Sequence, residues 1–150
     1  MITTLALEAG YWNSLGRGVG AIVLYALLGL ALMLIGFQAV DWTTPGSLRA
    51  MVARGLPNAI IVSAAAIVSM AFIVVLAIFA QAGKLSEGLI AATVYGLVGI
   101  VAQVIAVRVL EFVLGIDIGA VLKNPEFSTE AVVVSAAHVA IGLVVAVAIL

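Results

Sequence analysis

Four stretches of this chain, residues 18–40, 55–83, 88–107 and 131–150, contain no Asp, Glu, Lys or Arg. Each reaches the roughly 20 residues that an α-helix needs to cross a bilayer core. A lipid-embedded segment must satisfy its own backbone N–H and C=O groups, which a helix does within itself and a lone strand cannot. The pattern predicts an all-α, polytopic membrane protein with four transmembrane helices. Composition agrees, with 66% of residues apolar and 9% charged, against about 25% charged in soluble domains.

The residual charges exclude several roles. A formal net charge of -1 supplies no basic field for nucleic acid, and six Lys and Arg residues scattered along the chain form no polybasic cluster. The lipid bilayer is the expected partner. With no cysteine there is no disulfide, thiolate metal site or cysteine nucleophile. No phosphate-binding Gly-rich loop, His-Glu-x-x-His zinc motif or depth-matched Ser, His and acid set occurs. Neither cofactor, metal nor catalytic residue is therefore expected, and the chain reads as a non-enzyme. The first span lacks a basic leader and a small-residue cleavage site, so it reads as a retained helix.

Punctuation divides the chain. Tyr11 and Trp12 precede the first span and Trp42 follows it, where aromatic rings mark membrane interfaces; residues 1–17 read as an interfacial segment. Thr44 as cap and Pro45 at the first helical position predict a short amphipathic helix over about 45–54, with Leu48, Met51 and Val52 apart from Arg49. Gly55 and Pro57 end it, and Asn58 is placed to satisfy free N–H groups at the start of span two. Residues 81–87, with Gly83 and a candidate cap at Ser86, make spans two and three antiparallel neighbours. Asn124 and Pro125 precede span four, which from Glu130 onward measures about 31 Å.

The two halves repeat. An offset of 70 pairs Tyr25 with Tyr95, Leu27 with Leu97, Gly29 with Gly99, Ile35 with Ile105 and Asp41 with Glu111, and sets Trp42 on Phe112. An offset of 72 pairs Ala59 with Ala131 and Val62, Ser63, Ala64, Ala65 with Val134, Ser135, Ala136, Ala137. The predicted units are residues 18–83 and 84–150, each a two-helix hairpin. An even number of spans per unit makes the repeats parallel, related by an axis near the membrane normal. It also puts both termini on one side. Arg49, Arg54 and Lys123 in the linkers outnumber Arg17 and Lys84 opposite, a positive-inside bias that places the termini outside.

Leu56, Pro57, Asn58 and Ala59, the small-residue run Ser63 to Ala66, and Ser135 to Ala137 in the second half carry a family likeness over roughly residues 21–150. On these residues the chain resembles the bacterial inner-membrane family typified by YjfL, the domain of unknown function 350. Members look like tandem two-helix units in which an acidic or polar linker leads into an Asn- and Ala-rich helix. The resemblance implies a multi-pass protein of the bacterial inner (cytoplasmic) membrane and no established activity. This chain departs from the pattern at Glu130, where the second unit is expected to carry Asn.

Few polar groups interrupt the spans. His138 lies eight residues past Glu130, roughly 12 Å along the axis and near the midplane, where an ionisable group is costly. It fits ion or proton handling, or equally a neutral imidazole bonded to a neighbouring helix. Gln103 stands alone between 88 and 107 and is expected to find a cross-helix partner. Arg108 and Glu111 share a helix face and match Gln38 and Asp41, a repeated polar station that reads as an interfacial salt bridge or as a conduction mouth. Asn58 and Glu130 sit at equivalent helix starts, as caps or as a paired ligand site. Gly88, Ala92 and Gly96, Ala136 and Ala140, and Gly16 and Gly20 recur at fourfold spacing and predict close helix packing. Small-residue faces and short soluble segments point to a non-catalytic membrane subunit that forms a homo-oligomer or docks on other membrane proteins. An oligomeric channel or transporter for an ion or small solute is the alternative.

Overall fold

In the computed structural model, residues 10–80 and 85–150 are described. The elements are α1 (Tyr11–Thr43), α2 (Leu48–Ala53), α3 (Pro57–Phe79), α4 (Leu85–Leu114), α5 (Ile118–Lys123) and α6 (Thr129–Ala148). Among the described residues, four helices, α1, α3, α4 and α6, are long and apolar enough to cross a membrane. The protein is thus all-helical and membrane-embedded.

Helix α1 starts at Tyr11 rather than near Gly18, so residues 11–17 are part of the first helix; residues 1–9 of the expected interfacial segment lie outside the described residues. Exposed Trp12 and Trp42 are separated by about 45 Å of helix. That is the thickness of a bilayer with its headgroup regions, so both rings sit at interfaces. Residues 81–84 of the expected turn are likewise outside the described set, and Ser86 lies inside α4 instead of capping it.

Thr44 acts differently from expectation. Its N–H and its hydroxyl both donate to the Val40 carbonyl, the latter at 2.7 Å, so it closes α1. Pro45 then prevents the helix continuing. The cap of α2 is Ser47, whose hydroxyl accepts from Ala50 N–H at 3.3 Å, and the linker helix is correspondingly shorter than 45–54. It ends in a Schellman motif: Gly55 N–H donates to Val52 and Leu56 N–H to Met51, with Gly55 at φ 74, a left-handed conformation that suits glycine. Pro57 follows at the first position of α3.

Contacts order the long helices as a ring α1, α3, α6, α4, with α3 and α4 also meeting across the middle. Leu32 and Ile100 approach Gly96 and Gly36 respectively, so α1 and α4 run parallel. Gly36 meets Met70 and Gly29 meets Val74, so α1 and α3 are antiparallel. Both linkers consequently lie at one end of the bundle, where Pro45 packs on Gly119 and buries Leu48, Met51, Ile118 and Leu122 beneath α2 and α5.

Lipid tails are as apolar as leucine, so burying apolar area does not drive helices together in a membrane; close packing of small residues does. The interfaces follow this rule. Ala59, Ala66, Ala77, Ala92 and Ala131 are fully buried, and Gly88, Gly96, Gly99 and Gly142 lie on the buried strips of α4 and α6. The tightest crossing is α3 against α6, where a methyl on Gly142 would stand 2.9 Å from the Cα of Ser69.

Candidate functional site

The polar side chains gather in three places. At the linker end of α1, Gln38 accepts from the Arg49 guanidinium at 2.7 Å, and the Asp41 carboxylate accepts from Arg49 N–H at 3.1 Å. The first station therefore ties α1 to the start of α2. On α4, Arg108 pairs with Glu111 one turn away, with both side chains partly shielded. At the 70-residue offset, Arg49 corresponds to Gly119 and Gln38 to Arg108. The cation has moved from the linker helix to the long helix, and each station keeps one cation and one carboxylate. Beside Glu111 lies a cavity of about 10 Å³, lined mostly by Val107, Leu110, Leu114, Ile118 and Val134. It has room for about one water molecule.

The second grouping is internal. Gln103 is fully buried and its amide donates to the His138 carbonyl at 3.0 Å, which provides the expected cross-helix bond between α4 and α6. His138 is 2% exposed. Gln103 Oε1 and His138 Nδ1 are buried without a hydrogen-bond partner, as is the Ser69 hydroxyl beside Gly142. The His138 carbonyl already belongs to the α6 backbone ladder, so the Gln103 bond is an addition to a satisfied acceptor. Gln103→Leu removes one unsatisfied oxygen and one bond together, and we expect a change within about 1 kcal/mol. Thermal unfolding in detergent checks this.

The third grouping was not legible as such in the sequence. Asn58 does not cap its own helix; Leu56 occupies the cap position and makes no side-chain bond there. Pro57 at the first helical position puts Asn58 at the second. From there its amide donates to the carbonyls of Val121, Asn124 and Glu126 at 3.1, 3.2 and 2.8 Å, while its Oδ1 accepts from Ser128 N–H at 2.9 Å. One fully buried side chain in the first half thus holds the segment between α5 and α6 in the second. Glu130 makes no bond to Asn58: exposed at the start of α6, it accepts from the Ser128 hydroxyl. Both residues bond to Ser128, Asn58 at its N–H and Glu130 at its hydroxyl. The signal that could have shown this was Pro57, because a residue fixed inside the first turn is free to reach elsewhere.

The small-residue positions divide. Gly88, Ala92 and Gly96 are buried. Ala136 and Ala140 are exposed, lining an outer groove between α3 and α6 with Ile61, Ala65 and Leu143, so within this chain they do not pack helices. The buried strip of α6 is Ala131, Val134, Ser135, His138, Gly142 and Ala146. Gly16 and Gly20 face open space on α1. No group of three or more His, Asp or Glu side chains among the described residues is gathered to hold a metal.

A four-span bundle with small-residue interfaces, its two linkers folded together over one end, defines a polytopic helical membrane protein. The chain belongs to the family described as Domain of Unknown Function (DUF350), whose model matches residues 14–149. It is similar to a UPF0719 transmembrane protein of Mycolicibacterium paratuberculosis, 31% identical over 148 residues, covering 97% of this chain and 98% of the relative. UPF0719 transmembrane proteins of Mycobacterium bovis and Mycobacterium tuberculosis are each 42% identical over 81 residues, covering 53% of both chains. No solved structure matches.

Proposed function

We propose that this chain is a non-catalytic subunit of the bacterial inner membrane that works as a homo-oligomer joined through α1. The observation that carries the reading is the exposure of that helix. The most apolar window of α1 is only 6% buried, against 50% for α3, and residues 11–20 are all exposed. Gly16 and Gly20, four apart, have nothing within 4 Å of where a side chain would begin. Such a pair lets a second helix approach closely. Copies inserted with the same sidedness present this face to one another in parallel, so two chains close with Gly16 and Gly20 opposite their equivalents about an axis along the membrane normal. The three-to-two excess of Lys and Arg on the linker side supports linkers inside and termini outside.

Native mass spectrometry from lipid nanodiscs tests this. The chain is expected as an oligomer, and Gly16→Leu with Gly20→Leu is expected to yield monomer; a monomeric wild type sinks the reading. The unpartnered Gln103 Oε1 and His138 Nδ1 favour one second reading, an oligomeric channel or transporter for an ion or small solute. Liposome flux that His138→Ala alters would support it over the first.

A further inference from the structure

We propose that the groove between the two linkers binds the phosphate of an anionic phospholipid. The groove, about 440 Å³, has Arg54 and Lys123 at its rim, Met51 and Leu56 as its apolar base, and Ser47 on one wall; no acidic residue lines it. The two cations come from different halves of the chain. Arg54 caps the end of α2 and Lys123 is the last residue of α5. The Lys123 stem crosses over Gly46, its Cε 3.4 Å from where a side chain would begin there, which brings both cations to one opening. Neither is paired with a carboxylate among the described residues.

Depth selects the ligand. The groove is lined by the linker residues that follow the end of α1 at Thr43, outside the apolar spans, and so at the level of lipid headgroups. A phosphodiester fits its chemistry. Arg54 offers a fork of donors to phosphate oxygens and Lys123 a compact charge. The Ser47 oxygen accepts from Ala50 N–H, leaving its own proton free to donate. Met51 and Leu56 provide the apolar floor that the glycerol and the start of the acyl chains require.

The test is native mass spectrometry of the full chain released from mixed phosphatidylcholine and phosphatidylglycerol, counting retained lipids. The wild type is expected to keep phosphatidylglycerol in preference. Each interfacial cation contributes roughly fivefold, so Arg54→Gln with Lys123→Gln is expected to lower retention about 25-fold. Arg17→Gln, which removes a cation at the opposite end of the bundle, is expected to leave retention unchanged. Both substituted residues are exposed, and an unaltered thermal unfolding profile confirms that the double variant folds. The proposal is overturned if phosphatidylglycerol shows no preference, or if Arg17→Gln costs as much as the double variant. Binding of millimolar inorganic phosphate in phosphatidylcholine alone, without preference for phosphatidylglycerol, would assign the groove to free phosphate and overturn the lipid reading.

Discussion

Gly142→Ala is expected to destabilise the bundle by roughly 3 kcal/mol, at the upper end of what an added methyl costs in a packed core. The new methyl would lie 2.8 Å from the Ser69 Cβ and 2.9 Å from its Cα. A side chain can rotate away from such a contact, but a backbone atom cannot, so α3 and α6 must separate. That separation loosens the largest interface of the bundle, where dispersion contacts supply the attraction that apolar burial does not supply in lipid. Ser69→Gly in the same chain removes the hydroxyl and the Cβ but leaves the Cα in place, so it should restore about half of the loss. Reversible unfolding in bicelles measures both. Wild-type stability in Gly142→Ala would mean that the two helices do not approach this closely.

Asn58→Ala is expected to cost about as much, roughly 3 kcal/mol, for a different reason. Removing the side chain leaves the Ser128 N–H and the carbonyls of Asn124 and Glu126 without their Asn58 partner, while the Val121 carbonyl still accepts from Asn124 N–H, and a part-buried polar group stripped of its bond costs about 1–3 kcal/mol. Asn58→Asp keeps the shape and is expected to be no better. Its carboxylate still accepts from Ser128 but turns a second oxygen toward carbonyls that an amide had been donating to. The local readout is hydrogen exchange across 121–128, which should quicken in both variants while exchange in α1 changes less. Stability equal to wild type in Asn58→Asp would show that the amide's two N–H groups do not donate to these carbonyls.

Much of the architecture was legible because it depends on local composition. Four charge-free runs give four spans, and the rings of Trp12 and Trp42 bracket the first. Where structure and local pattern differ, the outcome hangs on one position within a turn. Thr44 before Pro45 predicts the start of a helix, yet Thr44 ends one, because its hydroxyl reaches back to Val40. Helix α5 has no clear local signal, although Asp117, which caps it by accepting from Ala120 N–H at 3.0 Å, stands 70 residues after the cap Ser47. Glycine at 119 and proline at 125 obscured the likeness. Among the small residues, fourfold spacing identifies a stripe on α1, α4 and α6 but not the direction in which it faces. Gly96 therefore packs on Leu32 while Ala136 faces outward.

The sequence by itself determined the solvent, the helical state and the number of spans, since each follows from whether a run of residues can satisfy its backbone and tolerate lipid. Only the tertiary structure decided where each polar group finds its partner. Gln103 and His138 meet across α4 and α6, and Asn58 reaches a segment more than 60 residues away. Such bonds depend on helix rotation and crossing, which close packing between distant small residues sets and which no local pattern encodes.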